Sequence, residues 1–284
     1  MKLKAYLELT KPRIATMVLV TAAFGYFLAA QSIAVPLVFW LTLLGTGMAG
    51  AGASVLNQYL ERDIDARMDR TRKRPIPTGT ISPQAALYFG VGLALGGCFL
   101  LMWQVNLLTA FLALQSIFLY VLVYTPMKRL TWWNTSVGAI PGAMPPLIGW
   151  AGATESLDAG AWVLFAILYI WQHPHFFAIA WMYKDDYERG GLKMLPVVQP
   201  DGRNMFRQVV GFSLLLVPVS LLPWVIGMSG PIYLVGATIA GIAMLACGVA
   251  FSLRKSVSAA RAELRVSIIY LPALLLLSMI DAIV

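Results

Sequence analysis

A chain of 284 residues that is 59% hydrophobic and 12% charged, with a mean hydropathy of +0.75, holds more apolar side chain than one soluble core could hide. That excludes a soluble enzyme or scaffold and predicts an all-α, polytopic membrane protein. The net charge of +8 gives no reason to propose nucleic acid, because the placement of the basic residues accounts for it.

At about 20 residues per span, nine spans are expected, over 14–31, 37–57, 84–103, 106–125, 135–153, 159–181, 207–227, 231–252 and 266–284. Lys2, Lys4, Lys11 and Arg13 precede the first, and the 58–83 loop is densely basic. Lys128 and Arg129 follow the fourth span, Lys184 to Arg207 the sixth, and Arg254 to Arg265 the eighth. The opposite loops, near 32–36, 104–106, 154–158 and 228–230, contain no Lys or Arg. The positive-inside rule therefore places the N-terminus in the cytoplasm and the C-terminus outside. The start, MKLKAYLELTKPR, is too short for a cleaved signal, which favours a bacterial inner membrane. One integral-membrane domain over 1–284 is expected. The two long charged loops, after spans two and six, suggest two related halves and a tail. Cys98 and Cys247 fall within spans and read as small core residues.

The informative interruption is NQYLERDIDARMDRTRKRPIPTG, from Asn57 to Gly79. Asn57, Glu61, Asp65 and Asp69 recur every four residues, so on a helix they form one slanting polar stripe with neighbours about 6 Å apart. Mg²⁺ takes oxygen ligands, usually one or two carboxylates, and completes its shell with water and substrate phosphate oxygens. Arg70, Arg72, Lys73 and Arg74 follow at once, as a diphosphate requires. A plainer reading makes these acids i to i+4 ion-pair partners on a solvated loop helix. A second mixed cluster, Lys184, Asp185, Asp186, Glu188 and Arg189, is expected on the same face and favours the metal reading. Four acids held in lipid would cost far too much, so the stripe must begin where the second span ends and face a watered cavity.

The two histidines, His173 and His175, flank Pro174 in the apolar run YIWQHPHFFAIAW. A core histidine is commonly just hydrogen-bonded, and the aromatic residues Trp132, Trp133, Trp171, Phe176 and Phe177 are commonly packing.

Asn57-x3-Glu61-x3-Asp65 with Arg70-Thr71-x2-Arg74-Pro75 and Gly79 resembles the first signature of the UbiA-type intramembrane prenyltransferases. Within that superfamily the pattern is closest to the branch that farnesylates protoheme IX. Leu9-Thr10-Lys11-Pro12-Arg13, Tyr124-Thr125-Pro126-x-Lys128-Arg129, Pro145-Pro146-Leu147-Ile148-Gly149-Trp150, Trp171-x2-Pro174-His175-Phe176, Asp186-Tyr187 and Met194-Leu195-Pro196-Val197 carry the match in order, over about residues 9–198. Glu61 stands where the superfamily usually has Asp. Neither Asp185 nor Asp186 has a carboxylate four residues away, so the second DxxxD of the aromatic prenyltransferases is incomplete.

The resemblance implies a UbiA-type helical bundle with its cavity open toward the cytoplasmic face. It implies farnesyl diphosphate and protoheme IX as substrates, Mg²⁺ as cofactor, and heme A synthase or terminal-oxidase assembly factors as downstream partners. Asn57, Glu61, Asp65 and Asp69 are then the expected metal set. Arg70, Arg74 and Lys128 act on the diphosphate, and Arg13, Lys73, Arg129, Asp185 and Asp186 are further substrate contacts. His175, which matches the family histidine where His173 does not, becomes the expected heme contact, since heme iron takes imidazole readily. The alternatives are a quinone-pathway aromatic prenyltransferase of the same superfamily and a transporter. A transporter would more naturally place ionisable groups near the midplane of broken helices.

Overall fold

The computed structural model describes residues 2–31 and 36–281, and every regular element in them is helical. A short α1 (Lys2–Leu9) precedes α2 (Pro12–Ala30), α3 (Leu37–Asp65), α4 (Pro83–Gln104) and α5 (Leu107–Phe118). A π-helical turn, Leu119–Tyr124, joins α5 to α6 (Thr125–Met127). Then come α7 (Asn134–Thr154), α8 (Ala159–Met182), the short α9 (Lys184–Arg189) and α10 (Leu195–Val198), and finally α11 (Arg203–Val225), α12 (Pro231–Arg254) and α13 (Val257–Asp281). Most of the expected 32–36 loop, and residues 282–284 of the expected last span, lie outside the described residues.

Among the described residues, eight helical stretches are long and apolar enough to cross a membrane. The fifth expected span corresponds to α7, which has the length but not the apolarity, since it carries Pro141, Pro145 and Pro146 among small and polar residues. It is a buried helix, packed against α2, α5 and α8 rather than presented to lipid. Glycine permits that closeness: a Cβ on Gly149 would collide with the Ala22 carbonyl, and one on Gly25 with the Pro146 carbonyl.

Two boundaries differ from expectation for identifiable reasons. Helix α13 begins at Val257 rather than near 266, because the Ser256 hydroxyl caps it by accepting the Ala259 N–H at 3.2 Å. Its first turns carry Arg261 and Arg265 on the exposed side and bury Glu263 and Ser267, so charge there does not end the helix. Helix α3 runs without a break to Asp65, 29 residues or about 43 Å, well past the hydrocarbon thickness. That extra length carries Asn57, Glu61 and Asp65 out of the span on the same rigid rod.

The bundle has two packed regions that meet where α7 lies against α8. One, around Leu101 and Leu147, joins α2 to α5 with α7, and the other, around Tyr233 and Tyr270, joins α7 and α8 with α11 to α13. The buried tyrosine hydroxyls are satisfied, Tyr233 by donating to the Ser220 carbonyl at 2.8 Å and Tyr270 by sharing a 2.6 Å bond with the Ser220 hydroxyl. Phe99, Trp103, Ile239 and Ile242 face outward, as an exterior solvated by lipid requires.

Candidate active site

The stripe on the last turns of α3 is buried, with Asn57, Glu61 and Asp65 at 1%, 5% and 0% exposure. Each is met by a side chain from elsewhere in the chain. Lys128 Nζ donates to Glu61 Oε1 at 2.8 Å, Arg74 Nη1 to Asp65 Oδ2 at 2.7 Å, and Lys11 Nζ to Asn57 Oδ1 at 3.0 Å. Three cations thus converge on two carboxylates and an amide.

Local chemistry explains why they converge. Pro126 has no N–H to continue an α-helix, and the Thr125 N–H reaches back to the Tyr120 carbonyl, opening the π-turn. The widened turn aims Thr125 at α3 and sets the Lys128 ammonium 4.6 Å from the centroid of the Tyr124 ring. Thr125 spends its only hydroxyl proton on the Tyr120 carbonyl at 2.8 Å, so it can only accept from Asn57 Nδ2 at 3.0 Å. The Asn57 amide is therefore oriented with Oδ1 toward Lys11. Lys11 sits in the left-handed region at φ 50, directly before Pro12 opens α2. Burial and the nearby Arg74 and Lys128 charges pull its ammonium down to about 7, against the opposing pull of Glu61 and Asp65.

These residues fit a hard cation. Asp65 Oδ1 is buried with no hydrogen-bond partner among the described residues. No cluster of three or more His, Cys, Asp or Glu forms a closed metal cage among the described residues. Mg²⁺ held by two carboxylates and an amide would leave coordination positions for phosphate oxygens.

Asp69 does not belong to this stripe, because α3 ends at Asp65 and the chain turns before reaching it. Asp69 is exposed and pairs with Arg72 at 3.3 Å and Arg189 at 2.7 Å. Asp186 is buried but faces the loop rather than the stripe, accepting the Asp69 and Arg70 backbone N–H groups at 3.0 and 3.2 Å and a hydrogen bond from Arg189. Burial pushes its carboxyl up, yet those donors hold it below the ordinary carboxylate value. Arg70 lies over the rings of Tyr183 and Tyr187, with centroids 5.2 and 5.6 Å away. Arg13, Lys73, Arg129 and Asp185 are exposed and make no hydrogen bond to the buried stripe.

The histidines separate sharply. His173 is fully buried and stacked on Phe212 at 3.7 Å, and both its ring nitrogens are used: Nδ1 donates to the Tyr169 carbonyl at 2.8 Å and Nε2 accepts from the Ser136 hydroxyl at 3.2 Å. His175 faces α13, stacks on Trp171 at 4.7 Å and contacts Ser267 Oγ through Nδ1 at 2.8 Å. Since Ser267 gives its own proton to the Leu264 carbonyl at 2.8 Å, His175 Nδ1 must carry the hydrogen in that contact. Its Nε2 lone pair is left without a partner among the described residues.

The model of the UbiA prenyltransferase family matches residues 18–269. The chain belongs to the UbiA prenyltransferase family. It is 46% identical to the protoheme IX farnesyltransferase of Solibacter usitatus (strain Ellin6076) across 98% of this chain and 99% of that protein. Against the protoheme IX farnesyltransferase of Salinibacter ruber (strain DSM 13855 / M31) it is 43% identical, over 97% and 98%. A UbiA homologue from Archaeoglobus fulgidus, solved with GPP and Mg²⁺, shares the fold at a TM-score of 0.65 and 16% identity, covering 97% of this chain and 99% of that one. A digeranylgeranylglyceryl phosphate synthase structure shares it at 0.82 and 19%, over 99% of both chains.

In this UbiA-family chain the site residue that sequence reasoning passed over is Lys11. No local signal singles it out, because a residue before a proline ordinarily favours extended backbone, whereas Lys11 is held in the left-handed region at φ 50. Arg13, two residues on, points outward instead.

Proposed function

We propose that this chain transfers the farnesyl group of farnesyl diphosphate to a vinyl group of protoheme IX, with water added, giving heme O and diphosphate. The observation that carries this reading is the buried Asn57, Glu61 and Asp65 stripe faced by Lys11, Arg74 and Lys128 in a UbiA-family chain. Asn57, Glu61 and Asp65 would hold Mg²⁺, which supplies Lewis-acid neutralisation of the diphosphate when bound. Lys11, Arg74 and Lys128 bind the same diphosphate, and their charges oppose the negative charge that grows as the carbon–oxygen bond breaks.

The allylic cation that remains is captured by the vinyl carbons of protoheme, and water then adds to the porphyrin-stabilised cation and loses a proton. A hydroxyethylfarnesyl side chain results. No nucleophilic side chain is needed, so the protein's work is to position two apolar substrates and keep stray water from the first cation. His175 is assigned to the acceptor because its Nε2 carries a free lone pair, whereas both nitrogens of His173 are committed. Arg70 supports the diphosphate end from the loop.

The domain crosses a bacterial inner membrane nine times, α7 included, with the N-terminus cytoplasmic and the C-terminus outside. The one-sided basic residues support that orientation. Reporter fusions at residues 70 and 190 should then read cytoplasm, and those at 155 and 229 the opposite side. Purified protein supplied with protoheme, farnesyl diphosphate and Mg²⁺ should yield a heavier, more apolar heme. Prenylation of a hydroxybenzoate but not of protoheme would replace this reading with the quinone-pathway one.

A further inference from the structure

Arg203 and Arg207, one turn apart at the start of α11, face Lys255 just past the end of α12 across a cleft of about 510 Å³. Phe206, Val210, Gly211 and Ser252 form the rest of its wall. All three cations are exposed, and among the described residues none of their side chains forms an ion pair or a hydrogen bond to a protein acceptor. Lys255 is also held in a left-handed conformation at φ 48 while its ammonium lies 5.5 Å from the Phe206 ring centroid. That conformation is the C-cap of α12, with the Lys255 N–H on the Phe251 carbonyl, and it leaves the side chain at the cleft mouth.

The cleft opens at the ends of two membrane-crossing helices, on the end of the bundle where the basic residues gather. Toward the membrane interior its charged rim gives way to outward-facing Leu214 and Leu215 on α11 and Val249 on α12. Positive charge above an apolar, lipid-facing wall complements one class of molecule, an anionic headgroup carried on acyl chains. We infer that this cleft binds an anionic phospholipid of the adjoining leaflet, its phosphate held by Arg203, Arg207 and Lys255 and its chains lying along α11 and α12. The site is separate from the carboxylate stripe and shares no residue with it.

The test is native mass spectrometry of the detergent-purified full chain with phosphatidylglycerol or phosphatidylcholine of matched acyl chains. Phosphatidylglycerol should be retained preferentially. Arg203→Gln, Arg207→Gln and Lys255→Gln should each weaken that retention about fivefold, and together roughly a hundredfold, at about 1 kcal/mol per basic residue. Gly211→Leu changes no charge, and a Cβ there meets no atom within 4 Å, so it should fold normally and still lose the lipid by filling the cleft. The triple variant Arg254→Gln, Arg261→Gln and Arg265→Gln removes as much charge from the same end and should keep the lipid. Equal losses in the two triple variants would mean general attraction to an anionic surface and overturn the site. Full retention by Gly211→Leu, or displacement of the lipid by inorganic phosphate at matched concentration, would overturn it as well.

Discussion

Two acidic clusters, one on the last turns of α3 and one just after α8, do different jobs. Glu61 and Asp65 are carried on a continuous helix and buried, Glu61 answered by Lys128 from a distant part of the chain and Asp65 by Arg74 from the loop that follows. Asp186 has the same functional group and similar burial, yet its two oxygens are occupied by backbone N–H groups and by Arg189 from its own short helix. Asp65 Oδ1 is left buried and unpaired among the described residues, whereas both oxygens of Asp186 are taken. A carboxylate becomes a ligand only where its neighbours stop short of satisfying it. Asp186 instead pins the loop that delivers Arg74 to Asp65, which makes the second cluster a support for the first.

The largest effects should come from breaking the first cluster. Asp65→Asn and Glu61→Gln should each lower turnover by about 10²–10³-fold while the protein remains inserted and monodisperse, and Glu61→Asp should be mild. Asp186→Asn should cost far less in turnover. Assays at limiting and saturating Mg²⁺ decide the matter: near-normal activity of Asp65→Asn at limiting metal removes the metal assignment. A loss in Asp186→Asn equal to that in Asp65→Asn erases the distinction between the clusters.

Next in size are the cations. Lys128→Met leaves Glu61 buried without its partner, and loss of one member of a buried pair typically costs about 3–5 kcal/mol, to be read as lower thermal stability in detergent together with weaker farnesyl diphosphate binding. Lys11→Ala should weaken diphosphate binding with little loss of stability, since its partner Asn57 is neutral and keeps its bond to Thr125. Lys11→Arg should restore most of that binding.

How much of this was legible beforehand follows from what each feature depends on. The helical spans and the Asn57–Asp65 stripe depend on local composition and a four-residue repeat, and both could be read directly. Asp69 could not be placed, because the repeat continues in the sequence after the helix has ended; Thr71, whose hydroxyl bonds the Asp65 carbonyl at 2.9 Å, belongs to the turn that redirects the chain. The partners Lys128–Glu61 and Arg189–Asp69 are separated by 67 and 120 positions, and no periodicity reports such pairings. Lys11 was hidden for the opposite reason, since a single residue in the left-handed region decides that it, and not Arg13, turns inward.

The histidines offer a finer contrast of the same kind. His173→Ala should cost stability, on the order of 1–3 kcal/mol from the stranded Ser136 and the lost stack on Phe212, with heme binding little changed. His175→Ala should leave stability nearly intact while weakening protoheme binding and shifting its absorption spectrum, with farnesyl diphosphate binding unaffected. If His175→Ala binds and converts protoheme like the parent, the free Nε2 has no role in acceptor binding, and the farnesyl transfer itself still stands on the carboxylate stripe.

The smallest expected effect lies in the pH dependence of the loop. The Asp186 carboxyl sits below its ordinary value of 3.8 because Arg189 and the Asp69 and Arg70 amides bond its ionised form more than burial disfavours it. A carboxylate held below its unfolded value contributes stability that is complete above that value and lost as pH falls through the folded one. Loop anchoring should therefore be constant from neutral pH down to about pH 5 and fade below the ordinary carboxylate range. Hydrogen exchange at the Asp69 and Arg70 amides reads this directly, once corrected for the intrinsic rate. Asp186→Ala should expose both amides at every pH and abolish the dependence, while Arg189→Gln should shift the transition upward, toward 3.8, by removing the donor that most favours the charged form. Exposed Asp69 should contribute little of its own, so Asp69→Asn should leave the curve almost where it was. Protection that stays flat through the acid range in the parent protein would mean that the carboxyl is not the anchor, and the loop's position would have to come from Met68 and Ile64, which pack beneath it against Leu192 and Met194.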